Sequence, residues 1–285
     1  MTSMSQSELI PKALRAAREV ARRFGVGPVD PVFLHRSEHI SILLPSIATV
    51  ARTLVRTEGG TAERLCRELA VARHISERKA PIVVPSALYP PGPHFHGEFG
   101  LTLWQYVEHV PLDPQSGTHM ASAAAALRQI HDALIDYPGE LPSFKLKIDK
   151  CRQLLEDRRA LPALIAEDRS FLLRTYDRLT VSLEALPANL VPLHGDAGPH
   201  NVLMTSDGAL YGDFEDASLG PREWDVGWFP AAELATFGPI DRDLLSVLCD
   251  LRSLCVSVWC WAKHDMPDKR EAAEYHLTYL RERFA

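Results

Sequence analysis

Between Leu193 and Glu215 the chain reads Leu-His-Gly-Asp-Ala-Gly-Pro-His-Asn-Val-Leu-Met, then Thr-Ser-Asp-Gly-Ala-Leu-Tyr-Gly-Asp-Phe-Glu. Asp207-Gly208 between two apolar runs is a hairpin turn signal. Asn201 stands before that turn and Asp213 after it, so closing the hairpin sets the amide and the carboxylate side by side at its open end. Asp196 lies on the loop that enters the same end. Three converging oxygen ligands suit a hard dication such as Mg²⁺, which keeps waters and phosphate oxygens in its other positions.

An Asp five residues before an Asn, with a second Asp just after a short hairpin, is a phosphoryl-transfer pattern. One Asp orients the hydroxyl and accepts its proton, while the Asn and the other Asp hold metal. The string H-G-D-x-x-x-x-N, then D-F-E, then Gly220-Pro221-Arg222-Glu223-Trp224-Asp225, resembles the aminoglycoside phosphotransferase and choline-kinase-like family, relatives of the protein kinases. Gly195 stands where protein kinases have Arg, and Glu215 where they have Gly. The resemblance spans about Val32 to Asp225. It implies a catalytic base at Asp196, metal ligands at Asn201 and Asp213, and ATP with Mg²⁺ as cofactors. It further implies that His194 organises the catalytic loop and that Asp225 binds backbone amides of that loop.

Relatives carry a lysine on the third strand that pairs the ATP phosphates with a helix glutamate; the matching strand, Thr49-Val50-Ala51-Arg52, offers Arg52. The glutamate follows from the residues themselves. At about 100° per residue, Glu68 falls inside the apolar arc of Leu65, Leu69, Ala72 and Ile75. A carboxylate there needs a partner, which Arg52 would supply bidentately and with permanent charge. A G-x-G-x-x-G loop is absent, and His35-Arg36-Ser37-Glu38-His39 occupies the expected turn, so phosphates must be held without glycine freedom. The resemblance makes Ser37 a phosphate contact. It also makes Leu103 to Glu108 the hinge strand, whose backbone at Gln105 and Val107 would read the adenine edge, with Trp104 at the back wall.

The elements that must position these residues follow from periodicity. Helices are predicted for Ser7 to Phe24, Thr61 to about Glu77, Ser122 to Leu134, Lys150 to Asp157, Asp168 to Leu186, Asp241 to Ala262 and Lys269 to Phe284. Strands are predicted for Ile40 to Leu44, Thr49 to Val55, Ile82 to Val84 and Leu101 to Val107, and again within Leu190 to Asp213. His131 reads as a packed helix histidine. Pro111, Pro114 and Gly117 break the chain where its character changes. The expectation is an α+β, bilobed protein-kinase-like fold. Residues 1–107 form a small β-rich N-lobe with an N-terminal helix and the hinge, and residues 108–285 a larger, mainly helical C-lobe.

Composition sets the outer bounds. The 285 residues are 46% apolar and 24% charged, within the globular range. Thirty-one Lys and Arg against 37 Asp and Glu give a net charge of −6, which argues against a nucleic acid partner. Cys66, Cys151, Cys249, Cys255 and Cys260 contain no C-x-x-C pair and read as free thiols of a reducing cytoplasm. The first residues show no signal-peptide pattern, and no run is expected to cross a membrane.

The function implied is an ATP-dependent O-phosphotransferase acting on a small hydroxylated substrate, with aminoglycosides leading and choline, amino alcohols, sugars or other hydroxylated antibiotics as alternatives. Asp216, Glu223, Asp241, Asp243, Asp265 and Asp268 could line an acidic pocket for a polycation. The competing class is an inactive nucleotide-binding module, favoured by the missing glycine loop and by Arg52. A metal-dependent hydrolase is disfavoured, because no zinc-ligand spacing is present.

Overall fold

The computed structural model describes residues 6–27, 30–37, 39–56, 60–263 and 266–285. In chain order the elements are α1 (Gln6–Arg23), β1 (Val32–Arg36), β2 (Ile40–Leu44), β3 (Thr49–Val55), α2 (Thr61–Glu77), β4 (His94–His96), β5 (Phe99–Gln105), β6 (Val110–Pro111) and α3 (Gly117–Leu134). They continue with α4 (Lys145–Glu156), α5 (Ala166–Glu184), β7 (Leu190–Leu193), β8 (Val202–Thr205), β9 (Gly208–Tyr211), β10 (Ser218–Pro221), α6 (Glu223–Val226), α7 (Arg242–Trp261) and α8 (Pro267–Phe284). Two compact units result, one of residues 1–139 and 196–217, the other of residues 140–195 and 218–285.

The first unit is built on an antiparallel five-stranded sheet in the order β1-β2-β3-β5-β4. Small residues let α1 lie close on one face, where Ala13, Ala16, Ala17 and Val20 are buried against Ile40, Ile42, Leu44, Ala51, Leu101 and Leu103. Alternation along the strands then sends Ser41 and Arg52 to the opposite face, which α2 approaches. Gly100 makes that approach possible, since a Cβ there would sit 2.9 Å from Leu65 Cδ1 of α2.

A second, three-stranded sheet in the order β6-β8-β9 carries the hairpin. Its tight turn is Ser206-Asp207, one residue earlier than the Asp207-Gly208 signal suggests, because Thr205 and Gly208 form the closing pair. Gly208 opens β9 at φ +124°, and Thr205 Oγ1 accepts from Asp207 N at 3.1 Å, which fixes the register.

The segment Ile82 to Val84 is not a strand. Flanked by Pro81 and Pro85, it cannot sustain a ladder, and it divides its bonds between two neighbours. Val83 N donates to Tyr211 O at 2.8 Å, while Val84 O accepts from Gln105 N at 3.0 Å. The strand expected over Leu101 to Val107 runs two residues earlier, as β5. β1 covers His35 and Arg36, which sequence places in a turn, and β4 has too many histidines to announce itself as a strand.

The second unit is mainly helical, with a two-stranded β7/β10 sheet. Leu155, Leu172, Leu248, Leu251, Leu254 and Val258 lie in its core. Among the described residues one helix, α7, is long and apolar enough to cross a membrane by length and composition, which the sequence reading did not anticipate. It carries Asp250 and Arg252, both buried, and packs its apolar face into this core.

Candidate functional site

The open end of the hairpin holds two of the expected ligands together. Val202 pairs with Tyr211, and Gly212 N donates to Asn201 O at 2.9 Å, so Asn201 and Asp213 flank the last ladder bond. Asn201 closes a short 3₁₀ turn, Pro199–Asn201, and its Nδ2 donates to Asp196 O at 2.8 Å. That bond uses the amide nitrogen and leaves the side-chain oxygen as what Asn201 can offer a cation. His200 Nε2 lies 3.3 Å from Asp196 Oδ2.

Asp213 adopts a left-handed conformation, φ 65° and ψ 64°, uncommon outside glycine and best tolerated by Asp and Asn. Its two oxygens have different fates. Oδ2 lies 2.8 Å from Arg52 Nη2, whereas Oδ1 is buried with no hydrogen-bond partner among the described residues. A buried carboxylate oxygen without a donor is costly unless something positive meets it. Asp213 Oδ1, on the same hairpin end as Asn201, therefore offers the kind of hard oxygen donor that a dication such as Mg²⁺ takes.

The ion pair expected between Arg52 and Glu68 is present, through Arg52 Nη1 and Glu68 Oε1. Glu68 is 0% exposed, so it is not a rim residue. Arg52 thus bridges two carboxylates, Glu68 of α2 and Asp213 after β9. Burial raises the Glu68 carboxyl to about 7, with Asp213 adding to the rise and Arg52 opposing it. Burial pulls the Arg52 guanidinium down, but Asp213, Glu68 and Glu215 outweigh it and hold the charge firmly in place.

Glu215 has a role that the sequence reading missed. It is buried, with Oε2 accepting from His39 Nε2 at 2.6 Å and Oε1 accepting from Arg64 Nη2 at 2.5 Å. Arg67 Nη2 donates to its backbone oxygen at 3.2 Å. Burial works against this carboxylate, yet His39 and Arg64 hold it well below the usual carboxylate range. The third residue of D-F-E therefore ties α2 and the β1–β2 turn to the loop that follows β9. The signal available in sequence was Glu215 itself, a charge where kinases have glycine.

The other predicted residues lie apart from this set. Ser37 is exposed in the β1–β2 turn, its N donating to His39 O at 2.9 Å, and Glu38 lies outside the described residues. Gln105 N is already committed to Val84 O, and Val107 O lies 2.8 Å from His109 Nδ1. Among the described residues no hydrogen bond or ion pair joins Ser37, Gln105 or Val107 to Arg52, Glu68 or Asp213. Trp104 is buried and donates through Nε1 to Thr102 Oγ1 at 2.8 Å.

In the second unit Asp225 is fully buried and accepts from His194 N at 2.8 Å and Gly195 N at 3.0 Å. Trp224 Nε1 donates to Gly195 O at 3.0 Å. Gly195 takes φ +84°, a conformation that strains a larger residue. Of the acids considered for a cationic pocket, Asp241 caps α7 and Glu223 accepts from Asp241 N, so both have structural duties. Asp265 and the side chain of Asp268 lie outside the described residues.

No curated protein matches this sequence significantly. Solved structures match it over nearly the whole chain at low identity. The amicoumacin kinase hAmiN, in complex with AMP-PNP, Ca²⁺ and Ami, shares 12% identity over 97% of this chain and 96% of its own, at a TM-score of 0.72. A GDP and kanamycin complex of APH(2")-IIia shares 16% over 94% and 98%, at 0.71. A choline/ethanolamine kinase family protein from Mesorhizobium loti shares 17% over 96% and 94%, at 0.67. These establish the kinase-like fold. Residues 48–284 match the family model described as the phosphotransferase enzyme family, and by that match the chain is a phosphotransferase belonging to this family.

Proposed function

We propose that the protein transfers the γ-phosphate of ATP to a hydroxyl of a small molecule. The observation that carries this reading is the divided Asp213 carboxylate, one oxygen held by Arg52 and the other buried without a donor, at the hairpin end where Asn201 holds the backbone of Asp196. Asp196 orients the acceptor hydroxyl and takes its proton. Asn201 and Asp213 hold Mg²⁺, which when bound neutralises charge on the phosphates. Arg52, fixed by Glu68, offers a permanent cation to the same phosphates. Ser37 is assigned to the phosphate cover, and the backbone of Gln105 and Val107 to the adenine edge. Because Gln105 N is engaged, Gln105 would contribute its carbonyl oxygen.

The acceptor we favour is aminoglycoside-like, with choline, an amino alcohol, a sugar or another hydroxylated antibiotic as alternatives. The names of the similar structures support that range: one is complexed with kanamycin, one is a choline/ethanolamine kinase family protein, and another is a spectinomycin phosphotransferase. The complete Asp196, Asn201 and Asp213 set argues against an inactive module. We further propose a functional division after residue 107, a cytoplasmic location, and no nucleic acid or membrane partner.

The test is magnesium-dependent turnover of ATP, and separately of GTP, with a panel of aminoglycosides, choline, amino alcohols and sugars. Acceptor-stimulated nucleotide consumption that stops on chelation supports the reading. Nucleotide binding without turnover for any acceptor overturns it in favour of the inactive module.

A further inference from the structure

The sheet register places one more titratable side chain on the site face. Directly paired residues of a sheet share a face. The row His35↔Ser41, Ser41↔Arg52, Arg52↔Thr102 therefore sets His35 on the same face as Arg52, two strands away at about 4.8 Å per strand. That is the face on which Arg52 meets Glu68 and Asp213.

A bulge in β1 is what puts it there. Phe33 pairs with Ile42, which belongs to the α1 face, and His35 would share that face if β1 were regular. The register instead shifts between Phe33 and His35, leaving Leu34 as the extra residue. One inserted residue moves every later side chain to the other face, and such bulges recur where a side chain is re-aimed. Arg36 is carried the opposite way, to the face of its partner Ile40. Of these two basic residues the bulge selects the titratable one for the site, and His35 remains exposed there.

Resting on the proposed ATP-dependent reading, we propose that His35 contacts the nucleotide triphosphate and takes up a proton as the nucleotide binds, in the role a glycine-rich cradle fills elsewhere. Although His35 reaches solvent, partial loss of water around its ring lowers the proton affinity of the free side chain, and Arg52, His109 and His39 lower it further, while Asp213 opposes them. Glu68 stands behind Arg52, and Glu215 behind His39. These effects bias free His35 toward its neutral form. A polyphosphate adds negative charge beside it, favours the imidazolium, and draws one proton from solvent.

The experiment is the dissociation constant of Mg-ATP for the wild-type chain, His35→Gln and His109→Gln, between about pH 5 and 8. One linked proton lets affinity rise by up to about tenfold per pH unit as pH falls, beyond the slope that ATP itself contributes. The expected result is a steeper wild-type slope, lost in His35→Gln and kept in His109→Gln, with roughly tenfold weaker binding by His35→Gln at the acid end. Equal thermal midpoints of the nucleotide-free proteins exclude a folding defect. Parallel slopes for wild type and His35→Gln, or loss of slope in His109→Gln instead, overturn the proposal while leaving the phosphotransfer reading intact. Absence of Mg-ATP binding by the wild type at every pH overturns both.

Discussion

Asp213 gives the sharpest expectation, because its two oxygens face different charges. With Oδ2 on Arg52 and Oδ1 without a donor, Asp213→Ala would remove the proposed metal ligand and free the guanidinium together. Mg-ATP binding should fall below detection in a titration, whereas Asn201→Ala, losing one neutral ligand, should weaken it less. Asp196→Asn keeps the backbone oxygen that Asn201 holds but loses the proposed proton acceptor, so kcat should drop by roughly 10²–10⁴-fold with nucleotide affinity nearly unchanged. An unaltered kcat at saturating acceptor would remove Asp196 from the chemistry. Arg52→Lys should fold yet raise the KM for Mg-ATP, since one ammonium cannot reproduce a fork that reaches Glu68 and Asp213 through separate nitrogens. The nearness of Asn201 to Asp213 was legible because the two flank one hairpin, whose geometry a short sequence dictates. The partners of Glu215 were not: His39 precedes it by 176 positions and Arg64 by 151, and no local pattern encodes such a meeting.

At the scale of elements, α2, the β1–β2 turn and the loop after β9 converge on the Glu215 carboxylate. That tie is electrostatic and buried, so it carries a pH signature. The folded-state proton affinity of Glu215 lies below its unfolded value near 4.5, because His39 and Arg64 overcome the cost of burial. The stability it contributes is present in full above that value and is lost as pH falls through the folded one. Glu215→Gln should therefore be less stable at neutral pH and lose less of its stability on acidification. Urea midpoints from neutrality down to about pH 3 test this, and an acid limb as steep as that of wild type would mean that another carboxylate sets it. The helix carrying Glu68, Arg64 and Arg67 was readable residue by residue, since its apolar positions recur at helical spacing and Gly60 precedes it. The β1 bulge was not readable. Val32 to Arg36 gives no alternation to follow, and a register shift is fixed by the partner strand.

At the scale of the whole chain, the break sought near residue 107 rested on composition, whereas compactness groups residues 196–217 with residues 1–139. The hairpin packs against α3, with Ala209 N donating to Ser122 Oγ at 3.0 Å and Tyr211 Oη to Ala123 O at 3.4 Å. Contacts between such distant stretches are invisible to periodicity, which reads elements one at a time. Arg52, Glu68, Asp196, Asn201 and Asp213 all belong to the first unit, while the second has a separate helical core. Ligand binding lowers local opening most where the ligand's own contacts are made, and saturation at about 100 times Kd contributes about 2.7 kcal/mol. Mg-ATP should therefore slow amide exchange in β3, α2 and the β8–β9 hairpin by up to about a hundredfold, with far smaller changes in α5, α7 and α8. Hydrogen exchange with and without Mg-ATP measures this directly, with Asp213→Ala as the control in which the protection should vanish. Protection centred on α5, α7 and α8 would place the nucleotide outside the first unit and displace Arg52, Asn201 and Asp213 from its binding.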